Sequence, residues 1–507
     1  MDLEGIYNTD RSPALVDKCV QYARYTIPGL FPDSNTGTDN SVVQARKDYQ
    51  SFLAQMTNHL SAKFVSALFP STTSFFKLQL PSSLKQAIVA DVKKLAPEYS
   101  EDDLETRQSY LETSCSQRVL LNGNLASLGC MMQLLIITGN ALLVRSAVGR
   151  FLAYSLRNYT VLRDGNGNPV RVVLRERRAL GQLTAEERSR SGIRGEDHDL
   201  VDYWTGVFWS APDDRGRRTV SIRRQLGASE WEVQSGIPEE VCPYIPLAWR
   251  LLPGTNYGTG HVYQYEGDIC KYSELSAAHT LYMVEAMRVI HLVKPGSTTD
   301  IDEMNDAETG AYVAGDPNDI KAHESGDGLK LQQIAMQLQA LEAKLAKVFQ
   351  WDANTRDAER VTAAEIMQTA RALDQDFGGE HSALSNMLHP PLAYLTLQEL
   401  SPDLLSQVLA EGVQLDMLTG VPALTRSAKV QAALEASQEA AAIIGSLSPS
   451  TQRVSPEKII AMCFAARGLS PSDIYRSADE LQQMQQDASP IQVDPNMIQQ
   501  LQGVSNG

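Results

Sequence analysis

The run Gly254-Thr-Asn-Tyr-Gly-Thr-Gly260 stands between an apolar, strand-like segment, Ile245–Leu252, and a long helical pattern, where a phosphate-binding loop would sit. It lacks the Gly-Lys-Ser/Thr ending of a nucleoside triphosphate site. It also places Tyr263 where the dinucleotide fingerprint needs its third small residue. A tight turn into the helix is the simpler reading. Of the eight histidines, none forms a metalloprotease pair or a His-x-His cluster; His261, His279, His291, His323, His381 and His389 are isolated. No Gly-x-Ser-x-Gly elbow occurs. Asp374 and Asp376 diverge on a helix, because residues two apart do not face each other. The six cysteines (Cys19, Cys115, Cys130, Cys242, Cys270, Cys463) have neither zinc nor redox spacing and read as reduced thiols. These residues support no enzyme, ATP-driven motor, cofactor or metal site.

The elements that would hold any site must then come from pattern. At 507 residues the chain should hold two or more lobes, and 43% hydrophobic with 21% charged residues describes a globular protein. The start, Met1-Asp-Leu-Glu, has no basic region followed by an apolar stretch, so no signal peptide is expected. The apolar run around Cys130–Ile137 falls short of the roughly 18–20 residues that span a bilayer, so no membrane association is expected and the chain reads as soluble and intracellular when made. A net charge of −16 argues against a protein that grips DNA by its phosphates. It suits either plain solubility or a pore wall that repels DNA within about 8 Å.

Residues 12–160 read mainly as helices. Val42–Ala67 carries Leu53, Met56, Leu60 and Phe64 at helical spacing and stops at Phe69-Pro70; Glu101–Leu121 and Leu125–Ile137 follow. Tyr159–Arg163, the turn Asp164-Gly-Asn-Gly-Asn168 and Val170–Arg175 predict a hairpin. Short strands at Val201–Trp209, Thr219–Arg223 and Trp231–Val233 extend it into an arginine-rich β insert. Two readings of those arginines stand: a solvated or subunit-bridging surface, and contact with DNA.

A helix of ~45 Å is predicted over His261–Ile290, and a second over Leu329–Phe349, with Leu331, Ile334, Leu338, Leu341, Leu345 and Val348 on one face. Between them, residues 291–328 are polar, acidic and expected to be partly β: Asp300, Asp302, Glu303, Asp306, Glu308 and Asp316 are among nine carboxylates that stand against Lys321 between residues 300 and 328. A helical hairpin needs only two to eight connecting residues, so this segment is expected to be a module in its own right. Beyond the second helix, Arg356-Asp-Ala-Glu-Arg-Val-Thr-Ala-Ala-Glu365 starts another helix. Ser401-Pro402, Ser455-Pro456 and Ser470-Pro471 mark three further starts, and residues 482–507 have the composition of a disordered tail.

Five segments, in order, resemble the portal (head-to-tail connector) protein of short-tailed bacteriophages. They are Gln21–Pro32, Thr138–Leu143, Tyr159–Val172, Cys242–Gly260, and Glu359-Arg-Val-Thr-Ala-Ala-Glu-Ile366 continuing to Phe377-Gly-Gly379. A weaker match, Thr309–Ile320, falls in the acidic module, while Arg178–Ser235 departs from the family and residues past 400 match only in character.

The resemblance implies an α+β, mainly helical ring subunit with wing, stem, clip and crown, in a homo-oligomer expected to be a dodecamer. It implies a helical wing (residues 1–158) with a β-rich insert (159–260) and two stem helices (261–290 and 329–350) around a clip (291–328). A tunnel loop (351–361), a helix (362–400) leading to the crown (401–480) and a tail (481–507) complete it. The implied role is a channel at one capsid vertex of the virion, made in the bacterial cytoplasm, for packaging, retaining and ejecting double-stranded DNA. The implied partners are terminase, then the tail adaptor, with capsid and scaffolding proteins. Asp300, Asp302, Glu303, Asp306, Glu308, Tyr312 and Asp316 would serve partner docking. Asn354, Thr355, Arg356, Asp357 and Arg360 would line the tunnel loop, with Arg356 as its ring of positive charge. A surface salt bridge from Arg356 to Asp352 or Asp357 is the alternative. The rival readings are another head–tail joining ring, such as an adaptor, and a soluble hydrolase with an unrecognised site.

Overall fold

The computed structural model describes residues 2–31, 49–70, 74–78, 80–94, 101–214, 216–287, 289–297, 299–324, 328–351, 372–373, 375–377, 379–411, 415–417 and 438. The chain divides into two compact units, Met1–Gly420 and Val421–Gly507, and the elements below belong to the first. The expected crown helices starting at Ser455 and Ser470, and the tail, lie outside the described residues.

The unit opens with helices α1 (Leu3–Asp10), α2 (Pro13–Tyr25) and α3 (Phe52–Leu68), then strand β1 (Phe76–Leu78) and helices α4 (Ser82–Lys93), α5 (Glu101–Leu120) and α6 (Asn124–Thr138). Of the expected Val42–Ala67 helix, residues 42–48 lie outside the described residues and Tyr49–Ser51 are not helical, Tyr49 having a positive φ, so the helix starts at Phe52; its end falls at Phe69-Pro70 as the proline requires. Helix α6 is apolar on nearly every side because other elements surround it, and no single helix among the described residues is long and apolar enough to cross a membrane.

Two strands follow where helices were expected: β2 (Asn140–Arg145) and β3 (Phe151–Tyr154). Every residue of β2 is buried, so it shows no period-2 alternation and reads like a continuation of α6. Gly139, at φ +78°, makes the break, with its N–H donating to the Leu135 carbonyl.

The β insert is close to expectation. Strands β4 (Tyr159–Arg163) and β5 (Pro169–Ala179) form the hairpin, helix α7 (Ala185–Ser191) intervenes, and β6 (Leu200–Trp209), β7 (Thr219–Leu226) and β8 (Ser229–Pro238) complete a five-stranded antiparallel sheet in sequence order. Helix α1 lies on this sheet through Leu3, Ile6 and Tyr7 against Val173 and Trp204. Strand β9 (Tyr244–Ala248) returns to β2, opposite β3, with Pro246 tolerated because β9 is an edge.

Then come α8 (His261–Gln264), α9 (Glu266–Ala286), β10 (Val289–Val293), α10 (Ile301–Asn305), β11 (Ile320–Glu324), α11 (Gly328–Val348), α12 (Glu380–Leu400) and α13 (Pro402–Glu411), with β12 (Leu415–Met417) paired to β1. The helix expected over His261–Ile290 is therefore corrected at both ends. It breaks at Tyr265 and stops at Ala286. Val289, Ile290 and Val293 instead pair antiparallel with Ile320–Glu324, as β-branched residues favour when a partner strand is present. The helix expected over Leu329–Phe349 shifts by one residue, and Ser401-Pro402 starts a helix as expected.

A large core runs from Cys19 and Leu60 through α6 and β2 to Trp249, Ile269, Leu345 and Leu388, with smaller clusters beside it. Its tightest point is Gly139 against Gly258–Gly260. A Cβ at Gly139 would overlap the Gly260 nitrogen and lie 2.7 Å from the Gly258 carbonyl oxygen. Gly139→Ala is expected to destabilise this unit by about 3 kcal/mol, combining an unfavourable φ with backbone overlap, as calorimetry would register.

Candidate functional site

The Gly254–Gly260 loop is a clamp. Asn140 Nδ2 donates to the Gly258 carbonyl (2.7 Å), and the Gly258 N–H donates back to Asn140 Oδ1 (2.8 Å). Asn256 Oδ1 accepts from the Arg163 N–H (2.9 Å), covering the outer edge of β4. The Gly258 amide that a phosphate would need is already engaged.

This clamp sets the base of α8. His261 is buried there, with its Nε2 3.3 Å from the Val348 carbonyl oxygen at the end of α11. Its ring meets Phe349 and Phe377 edge-on at 5.0 and 4.9 Å, and Trp249 closes the box against Phe377 at 5.9 Å. Burial pushes the imidazole down to about 4. Nothing in the spacing of a lone Gly-His dipeptide announces this box; only the fold assembles it.

From that base α9 and α11 run antiparallel. Lys344 pairs with Asp268 at 2.6 Å and the Tyr272 hydroxyl donates to Glu342 at 2.8 Å. Ile269, Tyr272, Leu341 and Leu345 are buried at the base. Past Ser273 no residue of α9 is buried, and Leu281, Met283, Val284, Met287, Leu329 and Met336 are exposed. The far parts of both helices thus present apolar surface left largely uncovered by the described residues.

At the far end, β10 and β11 form a two-stranded ribbon carrying the acidic module. The Asp300 carboxylate accepts from the Asp302 and Glu303 N–H groups and caps α10. Asp302 and Glu303 fill its first turn, where the helix dipole favours them, and Asp306 ends it. The Asp316 N–H donates to Thr299 Oγ1 (3.2 Å), closing the excursion through Glu308 and Tyr312 back onto the start of α10. Between residues 291 and 321 only Thr299 and Asp319 are buried among the described residues; all seven docking residues expected here are exposed. The tunnel-loop residues Asn354, Thr355, Arg356, Asp357 and Arg360 lie outside the described residues.

The arginine-rich insert resolves largely into internal ion pairs. Arg171 meets Asp10 (2.7 Å), Arg175 meets Asp202 (2.8 Å), Arg178 meets Glu176 (2.6 Å) and Arg224 meets Glu187 (3.2 Å). Carboxylates of the same subunit offset these guanidiniums, which favours a structural role over a grip on phosphate.

Residues 9–472 match the family described as bacteriophage head to tail connecting protein. The chain is 34% identical to the portal protein of Pseudomonas phage phiKMV, over 98% of this chain and 96% of that one. It is 29% identical to the portal protein of Escherichia phage T7, over 82% of this chain and 77% of that one. Among solved structures, a chain of the virion of a native gene transfer agent particle overlaps 90% of this chain and 94% of its own length, at 13% identity and a TM-score of 0.38.

Proposed function

The chain belongs to the bacteriophage head to tail connecting (portal) protein family, and from that premise we propose a division of labour among its parts. Residues 1–158 and the β insert (159–260) form the wing. The helices within 261–290 and 329–350 form the stem and residues 291–328 the clip. Residues 351–361 narrow the channel, residues 362–400 lead to the crown (401–480), and residues 481–507 trail from it. The assembled ring sits at one capsid vertex of the virion, conducts double-stranded DNA inward, retains it and releases it into the tail. It performs no catalysis itself; terminase, and later the tail adaptor, meet the clip.

The observation that carries this reading is the uncovered apolar surface on the far parts of α9 and α11. In a lone chain it is an aggregation hazard; in a closed ring each copy covers its neighbour's helices. The full-length match to portal proteins favours this role over a shorter adaptor ring. Negative-stain microscopy with mass photometry tests it. Rings with a central channel and a mass near twelve copies of 55.7 kDa are expected. A stable monomer or dimer across salt and concentration would overturn the ring.

Arg356 supplies a ring of positive charge in a channel whose subunits are otherwise net acidic (−16 each). Arg356→Ala is expected to leave rings intact and reduce the DNA retained in filled heads severalfold, as measured by nuclease-protected DNA per particle. Equal protected DNA in both would remove Arg356 from retention.

A further inference from the structure

We propose that the clip meets its partner through an apolar face formed by Ile301, Met304 and Tyr312 within an acidic border, and that the partner offers an apolar cleft rimmed by lysine and arginine. This rests on the clip reading above and adds the chemistry of the contact. Ile301 and Met304 are three apart on α10, and both are about half exposed; Tyr312, in the turn that closes back onto Thr299, is fully exposed at 102%. The lobe has almost no interior, so these side chains are not held outward by a core that rejects them. A fully exposed tyrosine in the same small lobe as two half-exposed apolar side chains has the composition of an interface anchor, since Tyr carries large contact area at low entropic cost.

Charge selects the occupant. Between residues 300 and 321 seven carboxylates (Asp300, Asp302, Glu303, Asp306, Glu308, Asp316 and Asp319) stand against one lysine, Lys321, a local net of −6. A neighbouring copy's clip carries the same local net of −6, so contact between clips brings like charge against like charge, whereas a basic rim is attracted and steered. A foreign basic surface therefore fits better than a second clip.

The test uses full-length rings and two probes, the purified large terminase subunit and the purified tail adaptor of the same phage, with binding followed by interferometry over a salt series. Tyr312→Ala is expected to weaken binding of at least one probe tenfold or more while rings keep their mass; Tyr312→Phe should restore most of it. Asp302→Lys with Glu303→Lys should slow association and flatten its salt dependence. Unchanged binding by Tyr312→Ala rings overturns the apolar face even if deletion of residues 297–326 abolishes binding. If that deletion leaves binding intact, the clip reading itself fails. Loss of rings in Tyr312→Ala would assign the face to contact between copies and also overturn the proposal.

Discussion

Leu281→Asp combined with Val284→Asp is expected to abolish ring formation while leaving each chain folded. Both side chains lie past Ser273, the last buried residue of α9, and are 60% and 54% exposed. Neither contributes to the core at the base, where Ile269 and Tyr272 pack on Leu341 and Leu345. Surface substitutions of this kind change the stability of the subunit by roughly 0.5 kcal/mol or less. In the ring the same positions are to be covered by a neighbour, and an unpaired carboxylate buried at an apolar contact costs several kcal/mol or more. That penalty recurs at every interface of a closed ring, so assembly should fail completely. Mass photometry should then find a single species at 55.7 kDa, with a circular dichroism spectrum and melting profile like the parent's. Rings that persist in this variant would place the copy–copy contact elsewhere on the subunit.

Acid should destabilise the folded unit steeply between about pH 6.5 and 4. Burial pushes His261 down to about 4, and burial followed by the nearby His381 pushes His389 down to about 3. His389 is fully enclosed by Phe69 and Phe75, with Nδ1 2.8 Å from the Ser385 hydroxyl. Both imidazoles stay neutral in the folded chain, whereas in the unfolded chain they take up protons near pH 6.5. Stability is therefore full above about 6.5 and falls as the pH drops towards the folded values, with each histidine removing roughly 3 kcal/mol by about pH 4.5. Glu112 and Glu239, whose carboxyls burial pushes up, work in the opposite direction. The diagnostic quantity is thus a difference between variants. His261→Phe should unfold at a urea concentration close to the parent's at pH 7 and lose markedly less stability on titration to pH 4.5. Parallel profiles for the two proteins would mean that His261 titrates normally.

The α+β class and several individual helices and turns were legible because they rest on local physics. Leu331 to Val348 recur at helical spacing, Asp164–Asn168 tolerates the turn that joins β4 to β5, and Pro70 and Pro402 punctuate helices whatever surrounds them. The acidic, polar character of the segment between the long helices was legible too, since composition alone determines it. What the tertiary structure decided are features made by partners distant in sequence. Strand β2 is one, because burial on both faces erases the alternation that marks a strand. Another is the end of α9, where Val289–Val293 becomes strand only because Ile320–Glu324 comes alongside. The Asn140–Gly258 clamp and the box around His261 join residues more than a hundred positions apart. No window of sequence carries such contacts, since their stability comes from packing and desolvation that exist only once the chain has folded.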